Sequence, residues 1–157
     1  MKITLLFNGK TEEDYIEQGL KVYERRIVRY ITYQRTEIPS PRIQAGAKES
    51  FVREAEARLM QKHIPEASEL ILLDEMGRMM TSNEFAALLQ QKMNAGTKNL
   101  VFAVGGPYGF HESIVKQSSL KISLSPMTFP HQLVRLIFAE QLYRALTILR
   151  NEPYHHE

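Results

Sequence analysis

Short apolar runs and longer segments with helical spacing alternate along the chain. Runs rich in apolar and β-branched residues predict five strands, at residues 2–8, 30–38, 70–74, 100–104 and 120–124. Apolar positions three or four residues apart, preceded by capping or acidic residues, predict five helices, at residues 11–27, 49–63, 81–93, 112–116 and 130–150. This alternation is typical of α/β proteins.

Three of the predicted helices carry features that can be checked individually. The first has an apolar stripe formed by Ile16, Leu20, Tyr23 and Ile27. The second is charged and is predicted to bury one side, made of Phe51, Ala55, Leu59 and Met60. The third is preceded by Thr81 and Glu84, which have the spacing of a capping box.

The central strands indicate how the sheet is built. Residues 70–73 and 100–104 are apolar throughout rather than alternating, which is expected of strands covered on both faces. We therefore predict a largely parallel sheet with helices on both faces, in a single domain spanning residues 1–157. Ligands of such sheets bind beyond the carboxyl ends of the strands, which directs attention to the segments after Leu73, Val104 and Leu124.

Two of these segments have unusual composition. Residues 105–109 read Gly-Gly-Pro-Tyr-Gly, which allows a close approach of the backbone to a ligand but matches neither a P-loop nor a dinucleotide fingerprint. Residues 125–131 contain two prolines, and Pro130 suits the first turn of the helix that follows. Each segment is open to two interpretations, a ligand-binding loop or an ordinary connection.

Composition limits the classes of protein that the chain can belong to. Its 157 residues carry a net charge of +2 and contain no cysteine, which excludes disulfides, thiolate catalysis and cysteine-ligated zinc. No apolar run approaches the roughly 18 residues that a membrane span needs. The first residues resemble a buried strand and not a signal peptide. We therefore expect a cytoplasmic protein without a membrane segment, and no residue spacing supports a metal site.

A basic stretch and an apolar helix suggest partners. Residues 21–35 contain five Lys or Arg residues and three tyrosines but a single glutamate, a mixture that suits RNA phosphates and bases or an ordinary solvated helix face. The last helix is apolar around nearly its whole circumference between Leu133 and Ala139, with Arg135 as the exception. Such a helix is buried on more than one side, either by a second subunit or by the core of its own domain.

Taken together, several segments resemble the SPOUT class of methyltransferases. They are Leu-Leu-Asp-Glu-Met-Gly at 72–77, Val-Gly-Gly-Pro-Tyr-Gly at 104–109, Ser-Leu-Ser-Pro-Met-Thr-Phe-Pro-His at 123–131, the helix at 132–145 and Asn-Glu-Pro-Tyr-His at 151–155. Within that class the whole chain is similar to the family that methylates ring N3 of a pseudouridine in large-subunit (23S) ribosomal RNA.

The resemblance implies a fold, a cofactor and partners. It implies a C-terminal trefoil knot, a homodimer without a separate RNA-binding domain, and a ribosomal RNA substrate within the ribosome or its large subunit. It also implies that S-adenosylmethionine is bound by Leu73, Gly106, Ser125, Pro126, Met127, Thr128, Phe129 and Pro130. Two alternatives stay open: a SPOUT methyltransferase for another RNA, such as transfer RNA, or a non-catalytic binding module.

Methylation of a ring nitrogen requires a proton acceptor and groups that hold the flipped base. His131 follows Pro130 at a helix start, where the helix dipole favours the neutral imidazole, although it could equally donate to a backbone carbonyl. Tyr154 and His155 lie on a polar tail that could close over the pocket of its own or a second subunit, or could fray. Arg135 and Arg144 could bind phosphate or a developing oxygen charge. In relatives the position of His156 is often basic, so an RNA contact there would depend on pH.

Overall fold

The computed structural model describes residues 1–44 and 46–155, so that His156 lies outside the described residues. Ten elements alternate in the order the sequence predicts. They are β1 (Lys2–Asn8), α1 (Asp14–Ile27), β2 (Thr32–Ile38), α2 (Glu49–Gln61), β3 (Ser68–Met79), α3 (Ser82–Asn94), β4 (Asn99–Val104), α4 (Glu112–Gln117), β5 (Leu120–Ser123) and α5 (His131–Leu149). No helix in the described part of the chain is long and apolar enough to cross a membrane.

The five strands form one sheet in the order β2-β1-β4-β3-β5, and every pairing is parallel. Alternate residues of β1 point to opposite faces, so that Leu5 belongs to one core and Leu6 to another. The first core contains side chains of α1, α3 and α5, and the second those of α2 and α4. The prediction of an α/β fold with helices on both faces of a parallel sheet is confirmed.

Most of the individual helix features are also confirmed. Ile16, Leu20 and Ile27 of α1 are fully buried. Thr81 and Glu84 form the reciprocal bonds of a capping box at the start of α3. The predicted buried side of α2 is partly wrong, because Phe51 is 58% exposed while Glu56 is only 8% exposed.

Strand β3 differs most from its prediction, because it continues past Asp74 to Met79. Ile122 of β5 pairs with Leu73 and again with Arg78, so that residues 74–77 make an excursion between two pairings with one partner residue. Gly77 lies so close to β5 that a Cβ there would be 2.6 Å from the backbone N and C atoms of Ile122. The predicted trefoil knot involves this C-terminal part of the chain and stays a prediction.

Candidate cofactor pocket

A cavity of about 670 Å³ lies at the carboxyl ends of β3, β4 and β5. Its walls come from residues 73–75 within β3, the segments that follow β4 and β5, the first turn of α5 and Glu49 at the start of α2. Such a volume is typical of sites for small organic ligands. The position is the one that the topology of a parallel sheet predicts for a ligand.

Nearly all of the predicted cofactor residues line this one cavity. The wall includes Leu73 within β3 and Gly106 after β4. The segment after β5 contributes Ser125 and residues 127–130. Pro126 is the exception among the predicted residues and lies between two lining residues. The structure therefore brings Gly106 and Thr128 to the same site.

Side-chain hydrogen bonds fix the segment after β5. The Ser123 hydroxyl donates to the backbone oxygen of Ser125 at 2.9 Å, and the Ser125 hydroxyl accepts from the Met127 amide at 2.9 Å. The Thr128 hydroxyl donates to the Glu75 carboxylate at 3.3 Å, and this bond joins the segment to β3. The backbone that faces the cavity is thus held in place by the protein itself.

Gly106 opens a tight turn whose shape requires small residues. The Gly109 amide donates to the Gly106 oxygen at 3.1 Å, and Gly109 has a φ of +74°. A Cβ at Gly106 would be 2.6 Å from Oε1 of the Glu56 side chain. Glu56 thus occupies the space beside the Gly106 Cα where a side chain would be, and the backbone of Gly106 faces the cavity.

The cavity is acidic. Glu49, Asp74 and Glu75 contribute to its wall, and no Lys or Arg does so among the described residues. Lys121 lies beside this wall, with its Nζ 3.5 Å from Oδ2 of Asp74. The charge of this wall suits a cationic ligand and disfavours an anionic one. S-adenosylmethionine carries a positive sulfonium group, so the carboxylates of the wall and the backbone of Gly106 fit this cofactor.

His131 lies in the cavity wall at the start of α5. Burial lowers the pKa of its imidazole, and the positive charge of Arg135 lowers it further. Both effects favour the neutral ring at physiological pH. A neutral imidazole beside a ligand cavity can accept a proton.

Arg135 does not line the cavity of its own subunit, and the binding of phosphate or a developing oxygen charge by its side chain stays a prediction. It is fully buried, and its guanidinium lies 4.9 Å from the centre of the Phe7 ring. Nη2 donates to the Asn8 backbone oxygen at 2.6 Å, and Nη1 donates to the Thr11 hydroxyl at 3.0 Å. The contacts of Arg135 are therefore structural ones that tie α5 to the end of β1.

Tyr154 and His155 lie at the other end of α5 from the cavity. The Tyr154 phenol donates to Glu140 at 3.2 Å, and Nη1 of Arg144 lies 3.4 Å from Nδ1 of His155. Arg144 follows His131 by 13 residues of one helix, which corresponds to about 20 Å along the axis. These contacts argue against fraying of Tyr154 and His155, and they place both residues and Arg144 far from the cavity of their own subunit.

The basic stretch at residues 21–35 is partly used within the chain. Arg35 forms ion pairs with Glu17, Glu24 and Glu37, and Arg26 lies over the rings of two tyrosines. Lys21, Arg25 and Arg29 are exposed, as are the apolar side chains of Val22 and Val28. What stays available to an RNA is a smaller basic surface than the sequence suggests.

In the last helix, one charged side chain is buried and several apolar side chains are not. Arg135, the charged exception in an apolar segment, is fully buried. Leu133, Val134, Leu136 and Ile137 are only partly buried, and Ile137 does not pack against either hydrophobic core. Some of the apolar surface of α5 therefore stays uncovered in the single subunit.

Comparison with known proteins identifies the family. The family model described as "Predicted SPOUT methyltransferase" matches residues 1–155. The chain belongs to the SPOUT methyltransferase family. Within it, the chain is 47% identical to the ribosomal RNA large subunit methyltransferase H of Parabacteroides distasonis over the whole length of both proteins.

Other relatives agree with this placement. The protein of the same name from Flavobacterium johnsoniae is 46% identical, again over all of both chains. A probable methylase family protein of Haemophilus influenzae has a similar solved structure, with a TM-score of 0.56 over 99% of this chain and 70% of that one. At 12% identity this last likeness shows a similar fold and nothing more.

Sequence reasoning missed three features of the pocket. The sequence directs attention to the segment after Leu73, which contains Asp74 and Glu75, but it does not indicate that these two carboxylates make the cavity wall acidic. Tyr108 lies in the cavity wall and is 45% exposed, and its place between two glycines of a turn was the available signal. Glu56 had no such signal, because nothing in α2 distinguishes it from its exposed neighbour Glu54.

Proposed function

We propose that this chain transfers a methyl group from S-adenosylmethionine to ring N3 of a pseudouridine in large-subunit ribosomal RNA. Membership of the SPOUT family and the names of the full-length relatives support the reaction class and the RNA. The observation that carries the proposal is the cavity in which Leu73, Gly106 and Thr128 meet. Ribosomal RNA as substrate also implies a cytoplasmic location.

The cofactor is held mainly by backbone. Gly106, Ser125 and residues 127–130 line the cavity with backbone from two converging segments, a rigid arrangement that can recognise the edge of an adenine ring. Asp74 and Glu75 supply negative charge beside the cationic part of the ligand. The bound cofactor supplies a methyl group on an electron-poor sulfur, which a nitrogen lone pair can accept.

The chain itself has to remove the proton from N3 of the base. We assign this step to His131, which lies in the cavity wall with a lowered pKa. The imide N–H donates to the neutral ring, which takes the proton as N3 becomes nucleophilic. Burial raises the pKa of the Tyr154 phenol, so that Tyr154 stays protonated at neutral pH and suits hydrogen bonding to the base.

Tyr154 and His155 would serve the cavity of a partner subunit. They are held at one end of α5 while the cavity of their own subunit lies at the other end. The partly exposed apolar residues of α5, Ile137 among them, provide a surface for a second copy of the chain. In a homodimer that exchanges its tails, each cavity would receive Tyr154 and His155 from the other subunit.

Methylation of purified ribosomes from a strain that lacks the enzyme tests the reaction. We expect incorporation of labelled methyl groups into the large-subunit RNA, at a nucleotide that mass mapping identifies as pseudouridine, and greater incorporation with ribosomes than with free RNA. Modification of transfer RNA instead would reject the substrate. Absence of heat on titration with S-adenosylmethionine would indicate a non-catalytic module.

Mixing two inactive variants tests the shared tail. His155→Ala removes the tail histidine, and Gly106→Val forces a side chain against Glu56 and so displaces the backbone that lines the cavity. If tails are exchanged, hybrid dimers contain one intact site, and an equal mixture recovers about a quarter of wild-type activity. If each tail serves its own cavity, the mixture stays inactive.

A further inference from the structure

Glu56 is a buried carboxylate that neither the fold nor the proposed chemistry uses. It lies in α2, is 8% exposed, and belongs to the face of the sheet packed by α2 and α4. The single hydrogen bond recorded for its side chain comes from Nδ2 of Asn8 at 3.4 Å, which is long for such a bond. A charged group in this position is costly unless something compensates it.

The carboxylate of Glu56 lies against Gly106, in the loop at residues 105–109 after β4, which we call the cofactor loop. A Cβ at Gly106 would be 2.6 Å from one of its oxygens and 2.8 Å from the other. The other side of the Gly106 backbone faces the cavity. A single glycine therefore separates the Glu56 carboxylate from any ligand that contacts Gly106.

Nothing in the described part of the chain neutralises this carboxylate with an ion pair. Burial raises the pKa of the Glu56 carboxyl, and no cation lies close enough to offset that effect. The nearby Arg135 directs its guanidinium to the Asn8 backbone oxygen and to Thr11 instead. A positive charge on a ligand in the cavity would supply the missing compensation.

We propose that Glu56 makes the pocket prefer the cationic cofactor S-adenosylmethionine over its neutral product S-adenosylhomocysteine. The two molecules share the adenosine and amino-acid parts and differ in the methyl group and the sulfonium charge. A buried charge acts through a medium of low dielectric, so that its effect on a ligand cation is large. The preference helps the spent product to leave after transfer of the methyl group.

The carboxylates of the cavity wall are less suited to this role. Glu49 and Glu75 are exposed to solvent, where water and salt screen their charges. Asp74 has Lys121 beside it. Glu56 is the carboxylate that combines burial, lack of a counter-charge and contact with Gly106.

Calorimetric titration of both ligands into the full-length protein tests this inference, which rests on the proposed occupation of the cavity by S-adenosylmethionine. Glu56→Gln keeps the shape of the side chain and removes its charge. We expect the affinity for S-adenosylmethionine to fall about tenfold, as for loss of one partly screened charge pair, and the affinity for S-adenosylhomocysteine to stay nearly unchanged. Glu54→Gln, on the same helix but in an exposed ion pair with Arg58, is the matched control and leaves both affinities unchanged.

A measurement on the wild-type protein provides a test that does not depend on folding of the variant. The ratio of the two affinities is measured from about 0.05 M to about 1 M KCl, a range over which exposed charges become screened and buried ones much less so. We expect the ratio to persist at high salt. A ratio that collapses to one would assign the preference to the exposed wall carboxylates and reject Glu56.

The outcomes separate this inference from the proposed function. If Glu56→Gln folds and weakens both ligands equally, Glu56 only supports the loop, and the charge preference is rejected while the pocket stands. An unchanged ratio in the variant rejects it in the same way. If the wild-type protein binds neither ligand, the cofactor assignment itself fails, and the inference falls with it.

Discussion

The guanidinium of Arg135 in α5 donates a 2.6 Å hydrogen bond to the backbone oxygen of Asn8 at the end of β1. A second bond goes to the Thr11 hydroxyl, and the guanidinium lies over the face of the Phe7 ring, while its buried Nε has no hydrogen-bond partner among the described residues. Asn8 in turn donates to Glu56, which lies against Gly106. The base of the cofactor loop is therefore connected to the helix that begins with His131.

Removal of the Arg135 guanidinium is expected to destabilise the protein more than it affects chemistry. Arg135→Met leaves the buried Asn8 oxygen without this donor and removes one bond to the part-buried Thr11 hydroxyl, at a cost of about 1–3 kcal/mol in the free energy of unfolding. Urea denaturation measures this loss. Arg58→Met, at a site where the arginine side chain is 73% exposed, is the control and changes stability little. Full stability of Arg135→Met together with loss of RNA binding would support the predicted contact with substrate.

A methyl group at Gly77 is expected to disrupt the pairing of β3 with β5. Its Cβ would be 2.6 Å from backbone atoms of Ile122, which cannot move aside as a side chain can. We expect Gly77→Ala to lower the free energy of unfolding by about 2–4 kcal/mol, within the upper range for overpacking and backbone strain. Thermal denaturation followed by circular dichroism provides the measurement.

Gly19→Ala is the matched control for that substitution. Its Cβ would be 2.8 Å from a terminal carbon of the Leu136 side chain, which can adjust. Alanine also favours the helical backbone of α1 relative to glycine. Equal losses of stability in the two variants would show that the close approach of Gly77 to Ile122 has no special importance.

The ion pair of Glu17 with Arg35 predicts a loss of stability in acid. Hydrogen bonding to Arg35 lowers the pKa of the Glu17 carboxyl, and the two bonds measure 2.7 and 2.9 Å. A lowered folded-state pKa stabilises the protein above the unfolded-state value of about 4.3, and this contribution is lost as pH falls through the folded-state value.

Unfolding of Glu17→Gln across pH tests this linkage. The variant is expected to be about 1 kcal/mol less stable than wild type at pH 7, with a difference that shrinks once the carboxyl is protonated in both states. Glu54→Gln is the exposed comparison. A difference between Glu17→Gln and wild type that stays constant down to pH 3 would mean that the carboxylate charge is not responsible.

Assignment of His131 as proton acceptor predicts a particular pH profile. Since burial and Arg135 lower the pKa of the imidazole, the rate of methylation is expected to stay constant at neutral pH and fall below the ordinary histidine value of about 6.5. His131→Asn is expected to lower kcat by about 100-fold or more and to remove this acidic limb. A variant that keeps both the rate and the profile would exclude His131, and loss of the acidic limb in His155→Ala would then identify His155 as the acceptor.

Local pattern predicts the elements of this chain well and long-range contacts poorly. The strands, the capping box at Thr81 and the convergence of the loops after Leu73, Val104 and Leu124 follow from spacing and from parallel topology. The end of β3 at Met79 could not be predicted, because the partner of Arg78 is Ile122, 44 residues later in the chain.

The burial of charged side chains is the other feature that the sequence does not predict. Arg135 is surrounded by acceptors from β1 and the segment after it, 124 and 127 residues earlier in the chain. Helical periodicity in α2 could not separate buried Glu56 from partly exposed Glu54. The place of Tyr154 and His155 depends in the same way on contacts with Glu140 and Arg144.

The double pairing of Ile122 sets an order of events for a chain that is still being synthesised. Leu73 and Arg78 find their common partner only after residue 122 has been added, whereas β1, β2 and β4 need nothing beyond residue 104 to pair with one another. Because β5 is the last strand to be synthesised, the other four strands of the sheet are present before it. The wall of the cavity is complete only once residues 125–134, which follow β5, have been added.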